Sequence, residues 1–434
     1  MTTIIENFTY LRPQKASQSL STLKNLENRT GNLDVKTFEN CMLIPDYSRT
    51  EENDNNHKSD GVCETFGCTA GSKARLYHTG VRNNLIRGNC LFGGFYLGVY
   101  GHFLVETLAR IWYFFESKDT AIDKIVFVSD DPQMHPPKGN IRRFLELSGL
   151  LDKMVLINCE TSFDHLIVPD MALSHFWYAD EFRLVFDIVR TKVLQNRPII
   201  PSQKVFLTRS GLSKAKENEI NINKLDAFFL SNGYKLLSPE KMTLDELIVE
   251  LSKSTVLSSI NGTLAHNILF APKSMMFNII ERHGFINSWQ MGCDLVSKSP
   301  ATYIDCYDLP QMSNPIGFVF LYSDTKYMHK WAQDNHMTLN AFLNSPQDHK
   351  RTLKNFLQRC KRQDGYTPYY LDFDIKRAPI YAEAIVECES VYSTWLRRKR
   401  PLFITDYFNM KVHKNWWVGP LYRKIVRKFR SFMK

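Results

Sequence analysis

Residues 255–281 read TVLSSINGTLAHNILFAPKSMMFNIIE. The run Thr255–Ile260 is short, apolar and β-branched, which is a buried strand. It stops at an Asn261-Gly262 turn. Thr263–Phe270 then reads as a helix that Ala271-Pro272 ends, and Met275–Glu281 is a second apolar strand closing on an acid. Upstream the same alternation continues. Lys204–Thr208 and Tyr234–Leu237 are strands, Asn221–Ser231 is a helix with Gly233 as its stop, and Thr243-Leu-Asp-Glu246 is a capping box opening a helix through Lys253. Strands alternating with helices predict a parallel sheet covered on both faces, a Rossmann-like half.

A second half precedes it. Lys124–Asp130, Met154–Asn158 and Leu166–Pro169 read as buried strands, with a helix over Asn140–Leu147. The stretch Asn196–Ser202, NRPIIPS, is a linker between the halves. The expected organisation is a polar segment at 1–60, Rossmann-like domains at 61–198 and 199–300, an extension at 301–394 with helices near 325–343 and 347–362, and a basic aromatic tail at 395–434. Two such domains imply a cleft, with ligands at the carboxyl ends of the strands.

Composition narrows the function classes. The chain has 434 residues, 23% of them charged and 44% hydrophobic, which excludes global disorder. No apolar run approaches the roughly 18 residues of a membrane-spanning helix. The start, MTTIIENFTYLRPQK, lacks the basic and apolar pattern of a secretory leader. Nine cysteines without a CxxC pair read as scattered thiols in a reducing cytoplasm. The net charge of +10 is local: 12 of the 55 Lys and Arg, and one of the 45 acids, fall in 395–434. The remainder is nearly neutral, so a nucleic-acid groove across the body is not expected.

Four segments carry chemistry. His102, Glu106 and Arg110 stand at i, i+4 and i+8 in GHFLVETLARIW, one polar stripe on an otherwise apolar helix. Such groups either pair with one another or face a cleft. Arg209, at the carboxyl end of its strand, and Lys214 behind it suit a diphosphate, although a solvated basic loop has the same composition. Asn261 and Gly262 open a helix whose first N–H groups suit an anion, with Asn267 one turn further on. Glu281 ends its strand where a carboxylate can accept from ribose hydroxyls.

In this order, GHFLVETLARIW at 101–112, VFLTRS at 205–210, NGTLAHNILFAP at 261–272 and FNIIE at 277–281 resemble glycosyltransferase family 61, over roughly residues 90–290. That family includes bacterial enzymes of capsule and lipopolysaccharide assembly. The resemblance implies an α/β fold of GT-B type, with two Rossmann-like domains facing a cleft. It also implies a nucleotide-sugar donor, a glycan acceptor and inversion at the anomeric carbon. His102, Glu106, Arg209, Asn261, Gly262, Asn267 and Glu281 match family positions. The turn departs from the family's frequent His-Gly-Ala-Gly and reads Ile260-Asn-Gly-Thr263.

The expected enzyme places 61–198 on the acceptor and 199–300 on the nucleotide sugar. Glu106 is the first choice of general base and His102 the second. Arg110, Arg209, Lys214, Asn261, Gly262, Asn267 and Glu281 bind substrate. No metal is required, because the cations stabilise the leaving group. A rival route is Asp372-Phe-Asp374, a DxD pattern that could hold Mg²⁺ or Mn²⁺. In 421–434 bases and apolar residues occupy opposed helix faces, with Trp395, Trp416 and Trp417 upstream. This suits an anionic membrane surface, hence a cytoplasmic enzyme peripheral at the inner face acting on a lipid-linked acceptor. The alternative is a catalytically inactive scaffold of a polysaccharide assembly complex.

Overall fold

Seven strands form the first sheet: β1 (Val35–Asp46), β2 (Val62–Gly67), β3 (Lys73–His78), β4 (Leu85–Tyr96), β5 (Lys124–Ser129), β6 (Met154–Ile157) and β7 (Thr161–Pro169). Their order is β2-β3-β1-β7-β4-β5-β6. The computed structural model describes residues 8–46, 62–68, 72–78, 84–117, 121–129, 131, 133–213, 218–284, 286–307, 311–312, 320–339, 352, 355 and 368–369. The β7-β4-β5-β6 part is parallel, as its apolar runs predict. β1, β2 and β3 add an antiparallel flank, with β1 pairing β7. The expected all-parallel half is thus a mixed sheet, and residues read as a polar segment supply β1. Helix α1 (Pro13–Asn25) also comes from that segment.

The second sheet holds β8 (Gln203–Leu207), β9 (Tyr234–Leu237), β10 (Ser254–Ile260), β11 (Met276–Glu281) and β12 (Ala301–Asp305). Its order is β9-β8-β10-β11-β12 and every pairing is parallel. Alternate residues serve opposite faces: Phe206 stacks on Phe229 at 3.8 Å, while Val205 and Leu207 join the larger core. Burying each such side chain is worth about 1.5–3 kcal/mol. The predicted capping box is present, with Glu246 N–H donating to Thr243 Oγ1 and Thr243 N–H donating to Glu246 Oε2. Gly233 stops its helix at φ 79°.

Four further helices position the site: α2 (Gly139–Ser148), α3 (Leu184–Leu194), α4 (Ile222–Ser231) and α5 (Leu244–Ser252). Phe144 of α2 packs against Phe186 of α3 and Phe270 from beyond β10, at 5.5 and 6.0 Å. One apolar core therefore runs from the first sheet's helices into the second sheet. Arg143 pairs with Asp245 at 2.8 Å across the same seam. α6 (Ser288–Val296) precedes β12, and α7 (Lys326–Asp334) lies in the stretch expected to be helical near 325–343. No described helix is long and apolar enough to cross a membrane. The DxD stretch at 372–374 and the tail at 395–434 lie outside the described residues.

Candidate active site

The carboxyl ends of β4 and β10 approach each other closely. After β4 the chain makes one helical turn, Tyr100–His102, then a π-helical turn, Phe103–Thr107. After β10 it turns at 261–264 and enters a 3₁₀ helix, Ala265–Phe270. A methyl group at Gly101 would stand 2.4 Å from Thr263 Oγ1, so only a glycine lets the two segments meet. Tyr100 O–H donates to Asn267 Oδ1 at 3.3 Å across the same contact.

His102 and Glu106 meet as their spacing predicts, with His102 Nδ1 2.5 Å from Glu106 Oε1. Their exposures differ: the His102 side chain is 45% exposed and that of Glu106 7%. An ionised carboxylate only accepts, so Nδ1 carries the proton and donates, which leaves the Nε2 lone pair as the basic site.

Arg110 does not extend this pair. The π turn and the turn at 108–111 interrupt the 3.6-residue period, so i+8 no longer lies on the stripe. Its Nη1 donates to the Pro169 carbonyl and its guanidinium lies over Phe66 and Phe92. Burial lowers its pKa to about 10.

Two more histidines lie on neighbouring segments. His266 lies in the 3₁₀ helix, buried, with Nδ1 2.9 Å from Gln290 Oε1. Gln290 Nε2 donates to Asp294 Oδ1 at 2.8 Å, and Tyr303 O–H donates to Asp294 Oδ2 at 2.5 Å. This chain orients the Gln290 amide, so its oxygen faces His266 and Nδ1 must donate. Burial, opposed by the Gln290 hydrogen bond, depresses His266 to about 4, so it is neutral at pH 7. Burial likewise raises Asp294 to about 7. His175 accepts or donates at Ser288 Oγ, 2.8 Å away; burial lowers its pKa and the Glu106 charge opposes that.

The second sheet contributes a basic cluster. Arg209 Nε and Arg282 Nη1 both donate to Glu219 Oε1, at 2.6 and 2.9 Å, and Tyr322 O–H donates to Glu219 Oε2 at 2.7 Å. Two guanidiniums on one buried carboxylate leave a net positive group. Gly262 has φ 116°, a left-handed backbone, and a methyl there would stand 3.1 Å from Arg282 Nη2. The Asn261-Gly262 turn thus lies against Arg282, whose buried Nε lacks a hydrogen-bond partner. Arg282 is a residue that motif reading missed; only its place after Glu281 in sequence hinted at it.

Glu281 and Asp305 stand side by side in register at the ends of β11 and β12. Both are buried and held by α1 and the residue before it. Lys15 Nζ donates to Glu281 Oε2 at 2.6 Å and lies 3.4 Å from Asp305 Oδ1, while Arg12 N–H donates to Asp305 Oδ2 at 2.8 Å. Asn261 Nδ2 donates to Glu281 Oε1 at 2.6 Å. Both Glu281 oxygens are therefore engaged within the protein. Burial raises its pKa against the pull of Lys15.

Asn261, Gly262, Asn267, His102 and Glu106 thus converge, Arg209 joins them through Arg282, and Arg110 lies behind. The helix start expected at Asn261-Gly262 is a turn followed by the short 3₁₀ helix, so this turn does not open an α-helix. Lys214 lies outside the described residues. Among the described residues no group of three His, Cys, Asp or Glu could hold a metal ion.

Residues 100–277 match the family model described as Glycosyltransferase 61. That span runs from the turn carrying His102 into β11. No curated protein matches the chain. The match carries a reaction class, the transfer of a sugar from a donor to an acceptor.

Proposed function

We propose that this chain, a glycosyltransferase by its family 61 domain, is an inverting enzyme in which His102 is the general base and Glu106 its orienting partner. One observation carries this: the His102–Glu106 pair follows Gly101, which packs on Thr263 next to the Asn261-Gly262 turn, and only its histidine is exposed enough to meet a substrate. The first choice from sequence, Glu106, is too buried to reach an acceptor hydroxyl. In the reaction an acceptor O–H gives its proton to His102 Nε2 and the oxygen attacks the anomeric carbon. The bond to the donor's diphosphate breaks on the opposite face, and the leaving oxygen takes the electron pair. Arg209 and Arg282 offset that charge from a site shaped by Gly262. Asn261 and Asn267 hold the turn, and Glu281 fixes Asn261. The two sheets then form the halves of a GT-B arrangement. A nucleotide sugar is the donor and a lipid-linked glycan of capsule or lipopolysaccharide synthesis the acceptor. The basic tail holds the enzyme at the cytoplasmic membrane face.

The test combines donor binding and turnover. UDP-, GDP-, CMP- and ADP-sugars are screened by thermal shift, since a ligand of the folded state raises Tm by mass action. One nucleotide class should raise Tm in the wild type and not in Arg209→Ala. His102→Gln and Glu106→Gln should keep that shift and lose about 10²-fold or more in turnover. A retained shift with no turnover in the wild type would mark an inactive scaffold. Wild-type turnover in His102→Gln would refute the base assignment.

A further inference from the structure

An aromatic shelf beside α6 is not used by the proposed chemistry. Phe176 is 71% exposed, the most exposed aromatic side chain in the described core and its rim. Its loop is not loose. Ser174 Oγ accepts from the N–H groups of Phe176 and Trp177, at 3.0 and 3.1 Å. The Phe176 carbonyl accepts from Glu27 N–H at 2.9 Å, and Trp177 Nε1 donates to the Met171 carbonyl at 2.7 Å. The backbone therefore presents the ring to solvent from a fixed frame. A large apolar ring held outward in this way forfeits burial, and such patches mark recognition surfaces.

The shelf continues toward the base. The His175 ring lies 4.6 Å from Trp289 and 6.5 Å from Phe176. Its Nδ1 is 2.8 Å from Ser288 Oγ, the first residue of α6, whose third residue is the Gln290 that orients His266. Asn267, the residue after His266, accepts from Tyr100 O–H at 3.3 Å, two residues before His102, so hydrogen bonds link the shelf through α6 to the segment that carries the base.

We propose that Phe176, with His175 and Trp289, forms an acceptor subsite that stacks a pyranose ring of the glycan whose hydroxyl His102 deprotonates, an inference resting on the glycosyltransferase reading above. The apolar C–H face of a pyranose complements the electron-rich face of an aromatic ring. The polar groups that orient the sugar hydroxyls are at hand in His175 and Ser288, the usual division of labour in a ligand site. The occupant is a neutral glycan, because among the described residues the shelf offers one imidazole, and the nearby Arg29 is already paired with Asp170. Phe176 itself takes no proton and makes no bond.

The full chain is applied to an array of immobilised glycans spanning hexose, hexosamine, deoxyhexose and pentose oligosaccharides. Binding to at least one class is expected in the wild type. Phe176→Ala should weaken it about tenfold or more, the scale of a central aromatic contact. Phe176→Tyr should retain it, and Phe176→Leu should not, since leucine keeps the apolar character and lacks the ring face. The exposed position makes all three variants compatible with folding, which an unchanged Tm checks. No glycan signal, or a signal that Phe176→Ala leaves intact, overturns the subsite. Loss of vesicle binding in Phe176→Ala, without loss of glycan binding, also overturns it and points to a lipid contact. The two readings fail separately: His102→Gln should still bind the array, whereas an active His102→Gln sinks the base and leaves the shelf standing.

Discussion

Gly101→Ala tests the approach of the two strand ends on which the site depends. The added methyl would lie 2.4 Å from Thr263 Oγ1, 3.0 Å from Cγ2 and 3.1 Å from Cβ, where ordinary contact begins at 3.4 Å. Rotating the threonine moves the γ atoms and leaves its Cβ in place. The segments must then separate by a few tenths of an ångström at least, and by about 1 Å if the threonine keeps its rotamer. Overpacking of this kind destabilises by about 1–3 kcal/mol. A displacement of about 1 Å between a base and a bound donor lowers turnover by about 10²-fold. The variant should therefore lose turnover far more than stability. The assay is donor turnover beside a thermal melt, repeated in Gly101→Ala/Thr263→Ala. Removing the γ atoms leaves only the 3.1 Å contact to Cβ, so the double variant should recover most of the activity. Wild-type turnover in Gly101→Ala, or no recovery in the double variant, would refute the reasoning.

Lys15→Met takes the ammonium from Glu281 and Asp305 and should cost about 3–5 kcal/mol of stability, read by chemical denaturation. Its pH dependence has a defined sign. Glu281 already has a raised pKa in the folded state, and losing Lys15 raises it further. Between its ordinary and raised values the folded form then binds more protons than the unfolded one, so stability falls as pH rises. The deficit of Lys15→Met should be larger at pH 8 than at pH 5; an equal deficit at both would count against Glu281 as the group left unpaired. Removing 395–434 should abolish co-sedimentation with anionic vesicles, and equal sedimentation by both forms would reject the membrane role of the tail.

The second sheet was legible because its signals are local. Apolar strands alternate with helices, Thr243 and Glu246 close a capping box within one turn, and Gly233 ends its helix by its own backbone. The first sheet was legible only in its parallel part. β1 pairs antiparallel and its first residues are exposed, so it lacks the apolar run of a buried strand. Within β4, Gly93 is required because a methyl there would stand 2.4 Å from the Phe127 ring. In the site, His102–Glu106 followed from i, i+4 spacing. Arg110 did not, because a π turn changes the angular step per residue. The Lys15–Glu281 pair joins residues 266 apart in sequence, which no local pattern encodes.

The aromatic seam behind the site bears on how substrates come and go. Phe144, Phe186 and Phe270 interlock where the two sheets' helices meet. Swinging the halves apart would wet these rings, at about 1.5–3 kcal/mol each. An opening penalty of about 5 kcal/mol leaves roughly one molecule in several thousand open at any instant. On that reckoning substrates would exchange through loops and side chains at the rim while the two sheets stay packed together. A donor then enters a shape that is already assembled, and little of its binding energy is spent on closing the enzyme around it.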